Sequence, residues 1–206
     1  MAVTRTRAKN AVQATDGELG SAAQRERQKR ILDATLALAS KGGYEAVQMR
    51  AVAERADVAL GTLYRYFPSK IHLLVSALAR EFGRMVDRMA RTAIPGDTPY
   101  ERMLFVLRRT TRAMQRDPML TEAMTRAFMF ADPSAAAEVN AVARQMEQLF
   151  TMAMRDGEHG PSPDDAAIAG VIGDVWLSDL VKWVTRRASS EDVSAHLELA
   201  ARLLLR

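Results

Sequence analysis

At 206 residues and 48% hydrophobic composition, the chain is one or two domains, long enough to bury a core. It has no cysteine, which excludes disulfides and cysteine-based metal sites; no apolar run reaches bilayer length and no signal core opens it, so a cytoplasmic location is expected. The net charge of +4 is uneven: residues 1–70 hold 12 Lys+Arg against 7 Asp+Glu, and residues 71–206 hold 17 against 18. Both chance variation and a footprint for nucleic acid fit that excess.

Ala, Leu, Met, Arg and Glu are frequent and no strand of convincing length is visible, so an all-α fold of nine helices is expected. Residues 1–21 lack apolar periodicity and read as a disordered arm, either a solvated end or a source of extra DNA contacts. From Ala22 to Ser40, Ile31, Ala34, Thr35, Leu38 and Ala39 recur at helical spacing, and Lys41-Gly42-Gly43 supplies a stop. Two short helices follow, Met49 to Arg55 and Leu60 to Tyr66, with Asp57 where the chain must turn sharply. Val52, Ala53, Ala56, Leu63 and Phe67 face inward. Gly61, Thr62, Tyr64, Arg65 and Tyr66 are left on or near the outer side, a set that suits a DNA groove and its phosphates. The pair reads as a helix-turn-helix, with the second helix as the reader.

The run from Ala56 to Lys70, ADVALGTLYRYFPSK, closely resembles the signature of TetR-family transcriptional regulators, and the resemblance spans roughly residues 25–75. Two positions depart from the family pattern: Gln48 stands where a capping threonine is common, and Asp57 where glycine is common. The resemblance implies a helix-turn-helix domain over residues 22–70 and a ligand-binding and dimerisation body over residues 71–206. It implies DNA contacts from Arg50, Leu60, Gly61, Thr62, Tyr64, Arg65, Tyr66 and Lys70, with Arg50, Lys70 and the basic first helix on phosphates. Taken whole, with its GGYEAVQMRAVAERADVALGTLYRYFPSK run and long N-terminal extension, the chain is similar to those family members that repress steroid catabolism. That implies a steroid-derived effector, such as a coenzyme A thioester.

Beyond Pro68, a helix from Lys70 to about Arg91 carries Ile71, Leu74, Val75, Leu78, Phe82, Met85, Val86 and Met89 on one stripe. It is long enough to join a headpiece to a body and to act as its lever. Helices are then expected over 100–115, after Asp117-Pro118, after Asp132-Pro133, over 164–187 and over 190–205, with a mobile loop at 156–163. In the helix 100–115, Arg102, Arg108, Arg109, Arg112 and Arg116 are placed outside. Such a face is solvated, or it meets an anionic group such as a phosphate near a pocket mouth.

Ten of the 12 methionines fall between residues 82 and 155. Methionine adapts its shape, so this set reads as core filler or as the wall of an apolar pocket. The pocket reading selects Phe82, Met85, Met89, Met103, Leu107, Met114, Met124, Phe128, Met146 and Trp176. The last two helices are apolar over more width than one core contact needs. Ile172, Trp176, Leu180, Trp183, Leu197 and Leu204 are therefore expected at a homodimer interface. His72, His159 and His196 are scattered, with neither metal-ligand spacing nor a phosphate loop, so no enzyme, metal or cofactor is expected. The function these residues support is a ligand-responsive repressor, binding near-palindromic operator DNA as a homodimer. An activator of the same architecture, or a carrier or enzyme with a vestigial headpiece, are the alternatives.

Overall fold

A computed structural model describes residues 3–155 and 162–205, and these form nine α-helices and no strand. Helix α1 is assigned Val3–Ala46, with no break at the expected arm boundary; the side chains of residues 1–21 lie outside the described set. The helical path is interrupted where the sequence predicts a stop, at Gly42 and Gly43. Gly43 (φ 64°, ψ −158°) occupies a region that a side chain would make costly. Helices α2 (Met49–Arg55) and α3 (Leu60–Tyr66) match their expected bounds. Asp57 supplies the left-handed residue between them (φ 52°), and the Val58 amide donates to the Ala53 carbonyl at 3.0 Å. Ile31, Val47, Val52, Leu63 and Phe67 close the core of this headpiece.

Helix α4 (Lys70–Met89) is capped by Ser69, and its 20 residues span about 30 Å. His72 pins its first turn. The Ser134 carbonyl, 3.1 Å from Nε2, can only accept, so Nε2 donates to it, and Nδ1 lies 2.9 Å from the Ser69 hydroxyl. The body follows as α5 (Pro99–Gln115), α6 (Pro118–Met129), a single 3₁₀ turn (Pro133–Ala135), α7 (Ala136–Met154), α8 (Pro163–Val184) and α9 (Ser190–Leu204). Helix α4 packs on α1, α6 and α7, while α8 and α9 pair at the far side and α9 also touches α5. Thr98 with Glu101, Ser162 with Asp165, and Ser189 with Asp192 form reciprocal capping boxes that fix three helix starts. The expected mobile loop falls largely on residues 156–161, outside the described residues.

One side chain reverses its expected role. Arg102, read as part of the outer face of α5, is 7% exposed. Its guanidinium donates to the carbonyls of Ala153 (3.0 Å), Met154 (3.2 Å), Gly96 and Asp97 (both 3.3 Å). The last turn of α7 leaves carbonyls without helical partners, and Arg102 satisfies two of them while holding the α4–α5 loop. Removing it strands these acceptors in a buried setting. Arg102→Ala should therefore lower the unfolding free energy by about 3 kcal/mol, measured by urea denaturation, with no direct effect on DNA contacts.

Candidate DNA-reading face and effector cavity

The outer side of α3 is open. Gly61, Tyr64 (47% exposed) and Arg65 face solvent, and Leu60, Thr62 and Tyr66 are half-buried at its edges. Arg50 on α2 is exposed beside them, and Tyr66 is steadied by Arg27, whose guanidinium lies 3.5 Å from the phenol oxygen. Gln48 makes no side-chain cap to α2, as its chemistry suggests. Gly61 is informative. A Cβ built there meets nothing within 4 Å, so no packing inside the molecule requires a glycine. A glycine inside a helix costs roughly 0.5–1 kcal/mol relative to alanine, and the molecule's own packing does not explain its presence on this open face.

Lys70, expected on a phosphate, is half-buried in the first turn of α4. Its Nζ lies 3.8 Å from the centre of the Tyr44 ring, and the Arg126 guanidinium carbon lies 4.3 Å from the same centre. Partial burial pulls the Lys70 ammonium below the usual lysine range; the Glu45 carboxylate opposes this, Arg126 adds to it, and Glu122 opposes it. Tyr44 is further held by its amide, which donates to the Glu122 carboxylate at 3.2 Å, and Arg126 reaches Glu45 at 3.0 Å. The chain just after the Gly42-Gly43 break is thus docked onto α6. No spacing rule connects positions 44 and 126, so Glu122 and Arg126 could not be found as partners of Tyr44 from the sequence. A second cluster ties α1 to α4, where Arg80 meets Asp33 at 2.8 Å and Arg84 meets the same carboxylate at 3.7 Å.

Within the body, α4, α5, α6, α7 and α8 line a cavity of about 230 Å³ that opens to the surface between α7 and α8, where Glu147, Gly170 and Asp174 are exposed. Phe82, Met114, Phe128, Met146 and Trp176, all expected at a ligand site, line it together with Leu78, Val142 and Leu180. Trp176 is a fixed wall: its ring meets Phe82 edge-on at 5.7 Å and Phe150 at 6.5 Å, and its Nε1 donates to Thr111 at 3.0 Å. A narrower adjoining pocket of about 150 Å³ adds Met85 and Met124. Met89, Met103 and Leu107 line neither; they are buried core residues. Thr125, which the sequence reading missed, lines the main cavity while 3% exposed, and its hydroxyl donates to no group among the described residues. Glu147 and Asp174 are acidic residues on the same lining.

The residues expected at a homodimer interface differ in exposure. Ile172, Trp176, Leu180 and Leu197 are 0–3% exposed in a single chain, spent on the chain's own core. Trp183 and Leu204 are only half-buried. The outward apolar side of α8 and α9 is instead carried by Val171 (48% exposed), Leu199 (40%) and Leu203 (57%), with Val175 half-buried one turn after Val171. Helix α8 is apolar nearly all round because one side faces the cavity and the other faces outward.

A three-helix headpiece with an open reading helix, borne on a helical body around an apolar cavity, defines a helix-turn-helix DNA-binding regulator. The chain belongs to the TetR family: the model described as bacterial regulatory proteins, tetR family, matches residues 31–77, and that of the tetracyclin repressor-like C-terminal domain matches residues 96–204. It is 66% identical over 191 residues to the HTH-type transcriptional repressor KstR of Mycolicibacterium smegmatis, covering 93% of each chain. It is also 66% identical over 204 residues to KstR of Rhodococcus jostii, covering 98% of this chain and 94% of that one. Among solved structures, a TetR transcriptional regulator from Rhodococcus sp. RHA1 shares the fold with a TM-score of 0.81 and 33% identity, over 89% of this chain and 97% of the other. Thermus thermophilus FadR, a TetR-family repressor solved with lauroyl-CoA, shares it at 20% identity with a TM-score of 0.67, over 86% and 92%.

Two substitutions on α3 test the reading face. Gly61→Ala should raise thermal stability slightly, by about 0.5–1 kcal/mol, while weakening operator binding in a gel shift. Tyr64→Ala should abolish specific binding with the secondary structure unchanged by circular dichroism.

Proposed function

We propose that this chain is a ligand-responsive transcriptional repressor of steroid or lipid catabolism genes, acting in the cytoplasm as a homodimer. Residues 22–70 serve as the DNA-binding domain and residues 71–206 as the ligand-binding and dimerisation body. Two copies place their α3 helices in successive major grooves of a near-palindromic operator, since one short reading helix covers little DNA. Arg50, Lys70 from its place over Tyr44 and the basic residues of the first helix serve the phosphates, and the exposed side of Leu60 to Tyr66 reads the bases.

The observation that carries ligand response is the make-up of the cavity wall. Helices α4 and α6, which contribute Phe82 and Phe128, are the two body helices that hold the headpiece, through the Arg80–Asp33 pair and through Tyr44. A bulky apolar effector of steroid or acyl-coenzyme A type that binds better when these helices are parted disfavours the DNA-binding spacing. It can shift that equilibrium only by its difference in affinity for the two forms. The named repressor relatives and the lauroyl-CoA bound by T. thermophilus FadR support this reading.

Adding long-chain acyl-CoA and steroid-CoA thioesters to a gel shift on the chain's own upstream DNA should release the operator in a dose-dependent way. Persistence of the shift at every concentration counts against the effector class. Dimerisation through the outward α8–α9 side predicts that Val171→Asp with Leu203→Asp yields a folded monomer by light scattering; a dimer of unchanged mass would move the interface elsewhere.

A further inference from the structure

The short run between α3 and α4 makes the reading helix an extension of α4's first turn. Only Phe67, Pro68 and Ser69 separate the two helices. Pro68 has a fixed φ, Phe67 is buried, and Ser69 is committed to capping α4. A rotation of that first turn is therefore passed on to Tyr64 and Arg65. What holds the turn against the body decides where α3 points.

It is held at two points. Lys70 and His72 are two residues apart, which places them about 200° apart round the helix axis. Lys70 lies over Tyr44, which docks on Glu122 and Arg126 of α6. His72 reaches instead to the 3₁₀ turn that follows α6, where its Nε2 donates to the Ser134 carbonyl at 3.1 Å. That acceptor is itself firmly built. Pro133 opens the turn, the Ala135 amide donates to the Asp132 carbonyl at 3.0 Å, and the Ser134 amide donates to the Asp132 carboxylate at 2.8 Å. The Ser134 hydroxyl and amide hold the Asp132 carboxyl below its usual range, so it stays an acceptor. Ala135, fully buried, anchors the turn in the body.

A buried histidine is ordinarily a core residue whose hydrogen bonds offset its own desolvation. Here the position of the bond adds something. The neighbouring Leu73 and Leu74 are fully buried, but apolar packing is non-directional and lets a helix roll or slide on its support. A hydrogen bond weakens steeply once its angle is lost, so it fixes a register that packing leaves soft. One anchor at Tyr44 makes a pivot; a second at Ser134 sets an angle.

We propose that His72 is a positioning residue for operator binding: its bond to Ser134 fixes the angle of each headpiece on its body, and so the half-site spacing that the paired headpieces accept. Two reading helices engage together only when their separation matches the half-sites. The second then binds as an intramolecular event, with a gain that is lost when its geometry is loose or wrong. His72 touches no DNA in this role; it selects among operators by their spacing while α3 selects by their sequence. This rests on the two-headpiece binding mode proposed above.

The test compares the full parent chain with H72L and H72Q. Leucine fills space without a donor, whereas the glutamine amide nitrogen can take the place of Nε2. Affinities are measured by fluorescence anisotropy on duplexes built from the footprint on the chain's own upstream DNA. One keeps the natural half-site spacing, others have base pairs inserted or removed between the half-sites, and one carries an isolated half-site. The parent should prefer the natural spacing. H72L should lose roughly tenfold on it, with its affinities for the other spacings converging on the same value, while its half-site affinity matches the parent. H72Q should restore both the affinity and the preference. An H72L chain that keeps the parent's spacing preference would overturn the proposal, as would H72Q impaired like H72L. An equal loss on the isolated half-site would also overturn it, since His72 would then act through the headpiece fold. A parent indifferent to spacing would overturn the two-headpiece mode and the role of His72 together.

Discussion

The contact that most constrains this molecule is the docking of Tyr44 on α6. A headpiece built from two seven-residue helices and the end of α1 cannot orient itself against the body through its own small core. Its position is set by α4, which leaves it at Lys70, and by Tyr44, which meets Lys70 and Arg126 over its ring and Glu122 at its amide. A desolvated cation over an aromatic ring is worth up to about 2 kcal/mol, and an exposed one about 0.5–1 kcal/mol. Such a hold is firm enough to define a resting geometry and weak enough to be released by a ligand. Gly43 permits it: its backbone is left-handed, and an added Cβ would come to 3.1 Å from the Glu122 carboxylate.

The cavity is placed so that its contents bear on this hold. Helix α6 carries Thr125 and Phe128 on the cavity lining, while Glu122 and Arg126 engage the headpiece. One rod of about three turns is thus in contact with both sites, and no longer chain of intermediates is required to connect them. Trp176, locked by Thr111 and two aromatic edges, gives the opposite wall rigidity, so displacement falls on the more adaptable side lined by Met114, Met146 and Phe128.

Much of this was readable from sequence because local chemistry dictated it. Gly42-Gly43 could only interrupt α1, Asp57 tolerates the left-handed turn, and Asp117 and Ser69 cap where proline or a polar hydroxyl announces a helix start. Five of the ten side chains expected at an apolar pocket line the main cavity, because aromatic and methionine side chains on α4 to α8 converge there. What failed was the sorting of apolar faces. On α8 both sides are apolar, so periodicity could not tell the core side, with Ile172, Trp176 and Leu180, from the outward side with Val171. Arg102 was misplaced for a related reason: an arginine on an otherwise basic face reads as solvated until the open end of α7 is known to lie against it. Ion pairs between distant segments, such as Glu45 with Arg126, leave no trace in spacing at all.

The size of the resting cavity has its own consequence. At about 230 Å³ it falls short of the roughly 300–1,000 Å³ of ordinary small-molecule sites. Interiors are packed too densely to stretch without cost, so a bulky guest does work in parting the helices around it. Guests too small to require that work would fit and leave the protein silent. Discrimination among apolar molecules would then follow their girth and length, graded by how far each one forces the walls apart.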